Sequence, residues 1–103
     1  KRIIARAHEL GFKVFGATLT PFRGAVYWTP AGEAKRDLVN RWIRTGDAFD
    51  GLIDFARAVS KPRHPEILSP SYDSGDHLHP NDAGYDAMAA AVNLPMLLRD
   101  ARS

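Results

Sequence analysis

Two short apolar segments, separated by a helical pattern, constrain the fold of this chain more than any other feature. Phe12–Leu19 is a nearly continuous apolar run of strand length, as is typical of a parallel strand that is covered on both faces. Gly51–Phe55 has the same character, and the chain between the two runs is long enough for a helical crossover. Within that interval, Ala31–Arg44 predicts an amphipathic helix, and its apolar side consists of Leu38, Val39, Trp42 and Ile43. Together the three segments predict a βαβ unit.

Helices are predicted on both sides of this unit. The first covers Arg2–Leu10, because its apolar residues recur at helical spacing and Gly11 follows as a stop. The last begins at Pro80, since proline favours the first helical position, and ends or kinks at Pro95. Between the second apolar run and this helix, Ser60–Ser74 contains three prolines and predicts an irregular surface connection that is long for a compact domain. The predicted buried stripe of the last helix consists of Tyr85, Met88, Ala89 and Val92.

The predicted sheet is too small to be stable alone. A parallel strand that is covered on both faces also needs neighbours at its edges, so two such strands do not make a self-sufficient α/β sheet. With 103 residues the chain has room for one domain. We therefore expect residues 1–103 to form the C-terminal portion of a larger α/β domain. The alternative is a small helical domain with a two-stranded sheet.

Composition excludes several classes of protein. The 14 lysines and arginines are scattered among 12 aspartates and glutamates, which is not the pattern of a nucleic-acid-binding surface. The absence of cysteine excludes disulfides, thiol nucleophiles and cysteine-ligated zinc. No apolar stretch approaches the roughly 18 residues that a membrane-spanning helix needs. The classes that remain are globular proteins whose functional residues are polar side chains other than cysteine.

The densest polar cluster extends from Asp73 to Asp82 and contains two histidines. If Pro80 is the first helical residue, His79 lies at the N-cap, where the positive end of the helix dipole helps to keep the imidazole neutral and basic. Asp76, three residues earlier, can fold back across the turn to accept the other ring N–H and to stabilise the imidazolium. His79 and Asp76 therefore supply two of the three members of a hydrolase triad.

This cluster resembles the last sequence block of the SGNH/GDSL serine esterases and lipases. That block is Asp-x-x-His-Pro, followed by Asn or Asp, Gly and Tyr at the start of the C-terminal helix, and here it stands as DHLHPNDAGY over residues 76–85. Upstream, KVFGATLTPF, the charged helix and FDGLIDF are similar to the later strands and helices of the secreted branch of the family. The resemblance covers nearly the whole chain.

The resemblance implies a flavodoxin-like, three-layer α/β/α fold with parallel strands, of which this chain is the C-terminal part. It implies hydrolysis of carboxylic esters through a Ser-His-Asp triad without a cofactor or metal, on small-molecule, carbohydrate or lipid esters. His79 would be the general base and Asp76 would orient it. It also implies an extracellular location.

The nucleophile block of that family has no counterpart in these residues. We find no Gly-Asp-Ser, no oxyanion glycine block and no Gly-x-Asn-Asp. Ser74 lies near Asp76 but lacks the strand-to-helix turn that presents the family's serine. We expect the missing elements to lie in an N-terminal part of the same domain, and the isolated chain to be nearly inert. The other serines, which do not match the block either, are Ser60, Ser69, Ser71 and Ser103.

Three further residues are weaker candidates for substrate binding. Tyr27 and Trp28 follow the C-terminal end of the first strand, where open parallel sheets bind ligands, so that a sugar or acyl group can stack there. They are equally compatible with covering the crossover helix. His77 is interpreted as a solvent-facing or substrate-rim side chain. Asp54 is interpreted as a strand-end carboxylate that accepts hydrogen bonds from backbone amides.

Two alternative functions stay open from the sequence. His77-x-His79 with Asp76 and Asp82 supplies imidazole and carboxylate ligands, which is compatible with a metal-dependent hydrolase. A chain that kept the scaffold but lost the serine would instead be a non-catalytic module. Inhibition of ester hydrolysis by a serine-directed phosphonate, with activity retained in a chelator, favours the serine esterase. Loss of activity on chelation favours the metal-dependent hydrolase, and the absence of turnover favours the non-catalytic module.

Overall fold

The computed structural model describes residues 2–46, 48–93 and 95, and its central feature is a βαβ unit. Strands β1 and β2 pair in parallel, with Phe15 opposite Gly51 and Ala17 opposite Ile53, and the connecting chain contains α2. The predicted βαβ unit is therefore confirmed, although both strands are shorter than predicted. The elements in chain order are α1 (Arg2–Glu9), β1 (Phe15–Ala17), α2 (Pro30–Thr45), β2 (Gly51–Ile53), α3 (Phe55–Val59), β3 (Ser60–Lys61), β4 (His64–Leu68), a 3₁₀ turn (Pro70–Tyr72) and α4 (Asp82–Ala90).

Helix α2 begins one residue earlier than predicted, because Thr29 is its N-cap. The Thr29 hydroxyl accepts a hydrogen bond from the Gly32 amide at 2.9 Å, and Pro30 takes the first helical position, where its missing N–H costs nothing. Gly46 follows the helix and donates its amide to the Trp42 carbonyl. Local capping thus sets both ends of the crossover helix.

The fully buried residues of α2 are polar. The predicted apolar stripe is therefore wrong at Leu38 and Val39, whereas Trp42 and Ile43 are half-buried. Leu38 is 65% exposed and Val39 is exposed as well, whereas Arg36 and Asn40 are buried. The reason lies in the backbone that follows β1. The Asn40 side chain accepts from the Leu19 amide at 2.7 Å and donates to the Leu19 carbonyl at 3.0 Å, as a neighbouring strand would.

Arg36 completes this anchoring. Its guanidinium donates to the Leu19 and Pro65 carbonyls, both at 3.1 Å, and forms an ion pair with Glu33 at 2.7 Å. The buried charge is therefore fully partnered, as a buried guanidinium requires. Farther along the helix, the half-buried Trp42 ring packs edge-on against Phe49, with centroids 5.3 Å apart.

Asp54 joins the two strands to α2 and α3. Its carboxylate accepts two hydrogen bonds from Arg44 at 3.0 Å, one from the Thr18 hydroxyl at 2.8 Å and one from the Arg57 amide, so a backbone amide is only one of its partners. Burial by itself raises the pKa of the Asp54 carboxyl. The hydrogen bonds from Arg44, Thr18 and Arg57 outweigh burial and hold that pKa below its usual value.

This carboxylate is expected to make stability depend on pH. Since the pKa of Asp54 in the folded state lies below the unfolded value of about 3.9, its interactions stabilise the fold fully above that value and are lost as the pH falls through the folded-state pKa. Asp54→Asn lacks this contribution at every pH. Denaturant unfolding should therefore show a difference between wild type and variant that shrinks from about pH 6 to about pH 2; a difference that stays constant would contradict the assignment.

The predicted irregular connection over residues 60–74 is wrong. It contains an antiparallel hairpin of β3 and β4, with Ser60 opposite Leu68 and Lys61 opposite His64, followed by the 3₁₀ turn. Pro62 and Arg63 make the two-residue turn, and Arg63 takes a positive φ of 68°, the order of residues that a type II turn requires. The prolines therefore shape a turn and an edge strand here and do not prevent pairing.

The last helix begins at Asp82 with Asn81 as its N-cap, so the predicted start at Pro80 is wrong. Its end at Ala90 also precedes Pro95, which therefore does not terminate it. The predicted stripe is only half-buried at Met88 and Val92 and is exposed at Tyr85 and Ala89, whereas Gly84 is buried. The first turn of the helix thus packs most closely.

Buried apolar side chains in the described part lie mainly between α3 and β4, which contact each other. Helix α1 confirms the first predicted helix and is followed by Gly11 at a φ of +84°, but none of its residues is buried. The described part contains no helix that is long and apolar enough to cross a membrane. The buried apolar residues are Ala25, Ala56, Val59 and Leu68, and the large exposed ones include Ile3, Leu10, Phe12, Leu19, Leu38 and Val39.

Candidate active site

The polar cluster forms a closed loop that its own backbone holds together. Asp73 and Pro80 form an antiparallel bridge at its base, and the Ser74 amide donates to the His79 carbonyl at 3.1 Å. Asn81 then ties the base to α4, since its side chain donates to the Ser71 and Asp73 carbonyls and accepts from the Gly84 amide at 2.8 Å. The loop is therefore ordered by contacts within residues 71–84.

His79 and Asp76 meet within this loop. The Nδ1 atom of His79 lies 2.6 Å from Oδ2 of Asp76. The other carboxylate oxygen of Asp76 accepts from the Leu78 and His79 amides at 2.9 and 2.8 Å and from the Ser74 hydroxyl at 3.2 Å. The His79 ring, first of all, and these backbone amides hold the pKa of the Asp76 carboxyl far below its usual range.

This arrangement prepares an imidazole for proton transfer. With the Nδ1 proton directed at the Asp76 carboxylate, Nε2 carries the free lone pair, and Nε2 has no partner among the described residues. A carboxylate that stays ionised in mild acid stabilises the imidazolium that forms when Nε2 takes a proton. Both side chains are largely exposed to solvent, so the base is accessible.

The predicted N-cap position of His79 is wrong. Asn81 takes that position, two residues later, because its side chain caps the Gly84 amide while Pro80 stays in the bridge with Asp73. The helix dipole therefore does not act on His79 through an N-cap. The contact with Asp76 is the interaction that orients the ring.

His77 points to a different carboxylate. Its Nδ1 atom lies 2.7 Å from Oδ2 of Asp73, and its backbone takes a positive φ of 62°. Asp73 also accepts from the Gly75 and His77 amides at 2.8 and 3.0 Å. The loop thus contains two interleaved His–Asp pairs, of which sequence reasoning recognised one. The signal for the second was the spacing of four residues between Asp73 and His77.

The two aromatic candidates, Tyr27 and Trp28, differ in their exposure to solvent. Trp28 is half-buried: its indole N–H donates to Glu33 on α2 at 3.2 Å, and the Arg23 guanidinium lies 5.2 Å from its ring centroid. It therefore covers the N-terminal end of the crossover helix, as the alternative interpretation expected. Tyr27 is 81% exposed, and its ring is free to contact a ligand.

Among the described residues, no serine hydroxyl is hydrogen-bonded to the His79 ring. Ser74 is the nearest in sequence, and its hydroxyl donates to Asp76. Ser103 lies outside the described residues. In the described part of the chain, moreover, no three side chains of His, Cys, Asp or Glu are grouped so that they could hold a metal ion. Asp82, the remaining member of the predicted ligand set, lies in the first turn of α4.

Asn81 and Gly84 are site-supporting residues that sequence reasoning missed. A Cβ atom at Gly84 would lie 2.7 Å from the Tyr72 carbonyl oxygen and 2.7 Å from Cβ of Pro80. Both neighbours belong to the backbone or a rigid ring at the base of the loop, so they have little room to move. The pattern that signals this arrangement is Asn followed three residues later by Gly, with the Asn as N-cap.

Substitution of this glycine tests the packing at the base of the loop. We expect Gly84→Ala to lower the free energy of unfolding by about 1–3 kcal/mol, although alanine has the better helix propensity by about 1 kcal/mol. The control is Ala83→Gly at the neighbouring exposed position, which measures helix propensity alone. Thermal and denaturant unfolding give both values. A Gly84→Ala protein more stable than wild type would show that the close approach is absent.

The chain matches a known protein family over most of its length. The sequence model of the GDSL-like Lipase/Acylhydrolase family matches residues 1–92, which include both strands of the parallel sheet and the entire polar loop. No curated protein matches the chain. The helices and the parallel sheet described above accord with the SGNH α/β fold of that family. The chain therefore belongs to the GDSL-like lipase/acylhydrolase family of hydrolases.

Proposed function

We propose that the protein containing this chain hydrolyses carboxylic esters through a Ser-His-Asp triad, with His79 as general base and Asp76 as the residue that orients it. The observation that carries the proposal is the 2.6 Å contact between His79 Nδ1 and the Asp76 carboxylate, whose pKa the His79 ring and the loop amides hold far below its usual range. Membership of an acylhydrolase family supports hydrolysis in general. The contact supports the specific roles, because it leaves Nε2 available to a nucleophile.

In the proposed reaction, Nε2 of His79 takes the proton of a serine hydroxyl while the serine oxygen attacks the ester carbonyl carbon. The bond from that carbon to the alcohol oxygen then breaks, and the imidazolium returns its proton to the leaving alcohol. Nε2 then takes a proton from water while the water oxygen attacks the acyl carbon. The bond from that carbon to the serine oxygen breaks, the imidazolium returns the proton to the serine, and the carboxylic acid is released. Asp76 stays ionised throughout and stabilises the imidazolium at both stages.

We further propose that the serine and its oxyanion donors belong to another segment of the same domain, of which residues 1–103 are the C-terminal portion. Three observations support this. Each sheet of the described part has two strands, so β1 and β2 both have an unpaired edge. Large apolar side chains on α1 and α2 are exposed. No described serine hydroxyl is hydrogen-bonded to the His79 ring. Further parallel strands would cover those edges and side chains.

For the substrate, we propose only a chemical class, which is an ester with a sugar or acyl group that can stack on an aromatic ring. Exposed Tyr27 follows the C-terminal end of β1, on the side of the sheet where open α/β folds bind ligands, and it offers an aromatic surface to a sugar or acyl group. An extracellular location would suit esters of polysaccharides or lipids.

The test uses the protein encoded by the complete reading frame. We expect it to hydrolyse p-nitrophenyl acetate, to lose this activity with a serine-directed phosphonate, and to retain it in a chelator. Mass spectrometry of the phosphonylated protein would locate the serine. The 103-residue chain, assayed in parallel, should be inert. Loss of activity on chelation would favour the metal-dependent alternative, and absence of turnover with any ester would favour the non-catalytic scaffold; either outcome overturns the proposal.

A further inference from the structure

We propose that His77 is a positioning residue that seats the loop carrying Asp76 and His79 against the segment that follows β1. The expected effect of His77 on catalysis rests on the proposed function, whereas its role in placing the loop does not. Within the described part of the chain, the hydrogen bonds of the Asp76 and His79 side chains stay inside the loop, to Ser74, Leu78 and each other. Some other residue must therefore set where the pair lies relative to the sheet.

The first step of the argument is that His77 is fixed to the base of the loop. Asp73, whose side chain is only 9% exposed, forms the bridge with Pro80. One of its carboxylate oxygens accepts from the Gly75 and His77 amides, and the other lies 2.7 Å from Nδ1 of His77. The His77 ring is thus held by a largely buried carboxylate at the point where the loop closes.

The second step is that the His77 ring contacts the segment after β1. A Cβ atom at Gly24 would lie 3.1 Å from Cγ of His77 and 3.3 Å from its Cδ2, so the ring packs where Gly24 has no side chain. Gly24 also has a φ of +98°, which glycine tolerates. The neighbouring Arg23 amide donates to the Glu66 carbonyl of β4 at 3.1 Å, which anchors this segment to the hairpin.

The third step is that Leu78, the next residue, faces the same segment. It lines an apolar groove of about 400 Å³ together with Leu19, Phe22 and Val39. Of two consecutive loop residues, His77 therefore packs at Gly24, and Leu78 borders a groove that it shares with the chain between β1 and α2. His77 adopts the left-handed conformation, which non-glycine residues seldom adopt, and this conformation coincides with its contacts to Asp73 and Gly24.

Two substitutions at His77 separate the side chain from the backbone. His77→Gly removes the side chain and relieves the positive φ, whereas His77→Asn tolerates that φ and keeps a polar atom at the position of Nδ1. In the complete protein, we expect His77→Gly to lose the nuclear Overhauser effects between the Leu78 methyls and the Leu19 and Phe22 side chains. His77→Asn should retain them. The Nδ1–H resonance of His79 should persist in both, because Asp76 holds that proton locally.

A second pair of variants approaches the contact from the other side. Gly24→Ala places a methyl group against the His77 ring, and Gly11→Ala is its matched control, since Gly11 also has a positive φ but no atom near its Cβ position. We expect Gly24→Ala to weaken the same Leu78 signals in wild type, and to add no further loss in the His77→Gly background. Gly11→Ala should leave them intact.

The outcomes decide the proposal without reference to activity. Unchanged Leu78 contacts in His77→Gly would overturn it, as would an equal effect of Gly24→Ala in both backgrounds. If the complete protein cleaves esters, His77→Gly should also lower kcat, and His77→Asn should restore much of it, with the midpoint of thermal unfolding close to wild type. Failure of ester hydrolysis would overturn the proposed function while leaving the Leu78 measurements to test His77.

Discussion

Replacement of His79 by alanine is expected to lower kcat for ester hydrolysis by about 10²- to 10⁴-fold, with little change in stability. The catalytic loss follows because Nε2 of His79 is the atom that takes the serine proton in the proposed mechanism. Stability should hardly change, since the ring is exposed and its side-chain contact in the described residues is with Asp76. The measurement is steady-state hydrolysis of p-nitrophenyl acetate by the complete protein.

The matched control is His64→Ala, another exposed histidine whose ring lies 3.4 Å from Glu66 on the hairpin. It should leave kcat and KM near wild type. A His79→Ala enzyme that keeps more than a tenth of the wild-type kcat would contradict the role of general base.

Asp76→Asn refines this test. The asparagine side-chain oxygen can still accept from the Leu78 and His79 amides, so the loop keeps its shape, but the negative charge opposite the imidazolium is lost. We expect kcat to fall, because the stabilisation of the imidazolium and the selection of its tautomer both depend on that charge. A wild-type kcat for Asp76→Asn would reduce Asp76 to a turn-forming residue.

Replacement of Asn40 by alanine is expected to lower the free energy of unfolding by about 2–4 kcal/mol. Asn40 is 2% exposed and is the partner of the Leu19 amide, so its removal leaves that N–H without its acceptor and a cavity beside the backbone. The Leu19 carbonyl keeps its hydrogen bond from Arg36. Because native proteins are typically stable by about 5–15 kcal/mol, the loss is a large fraction of the total.

The control for Asn40→Ala is Leu38→Ala on the same helix. Leu38 is exposed, so its truncation should change the free energy of unfolding by less than about 0.5 kcal/mol. Denaturant unfolding of the complete protein measures both. A larger effect at Leu38 than at Asn40 would mean that α2 presents its apolar side to the sheet, as the sequence pattern predicts.

The burial of Asn40 and the exposure of Leu38 separate what the sequence predicts about the fold from what it does not. The apolar runs predicted the two parallel strands and the crossover helix, because strand and helix periods are local properties of the chain. The same reasoning misplaced the buried side of α2. A buried polar face forms only where distant backbone groups need partners, and Leu19, which requires them, is 21 residues from Asn40.

In the candidate active site, too, one feature was predictable from the sequence and another was not. The pairing of Asp76 with His79 was predictable, since three residues of loop bring the side chains together with help from the intervening amides. The N-cap was not, because it depends on the bridge between Asp73 and Pro80, which holds Pro80 outside the helix.

The sequence by itself determined the order of β1, α2 and β2 and the local His–Asp pair, because each follows from residue spacing within one segment. Only the tertiary structure decided which side of α2 is buried, that residues 60–68 form a hairpin, and that His77 packs on Gly24. These features depend on contacts between residues that lie far apart in the chain or on backbone geometry that spacing does not encode. The free energy that each feature contributes depends on which side chains and backbone groups come into contact when the segments pack.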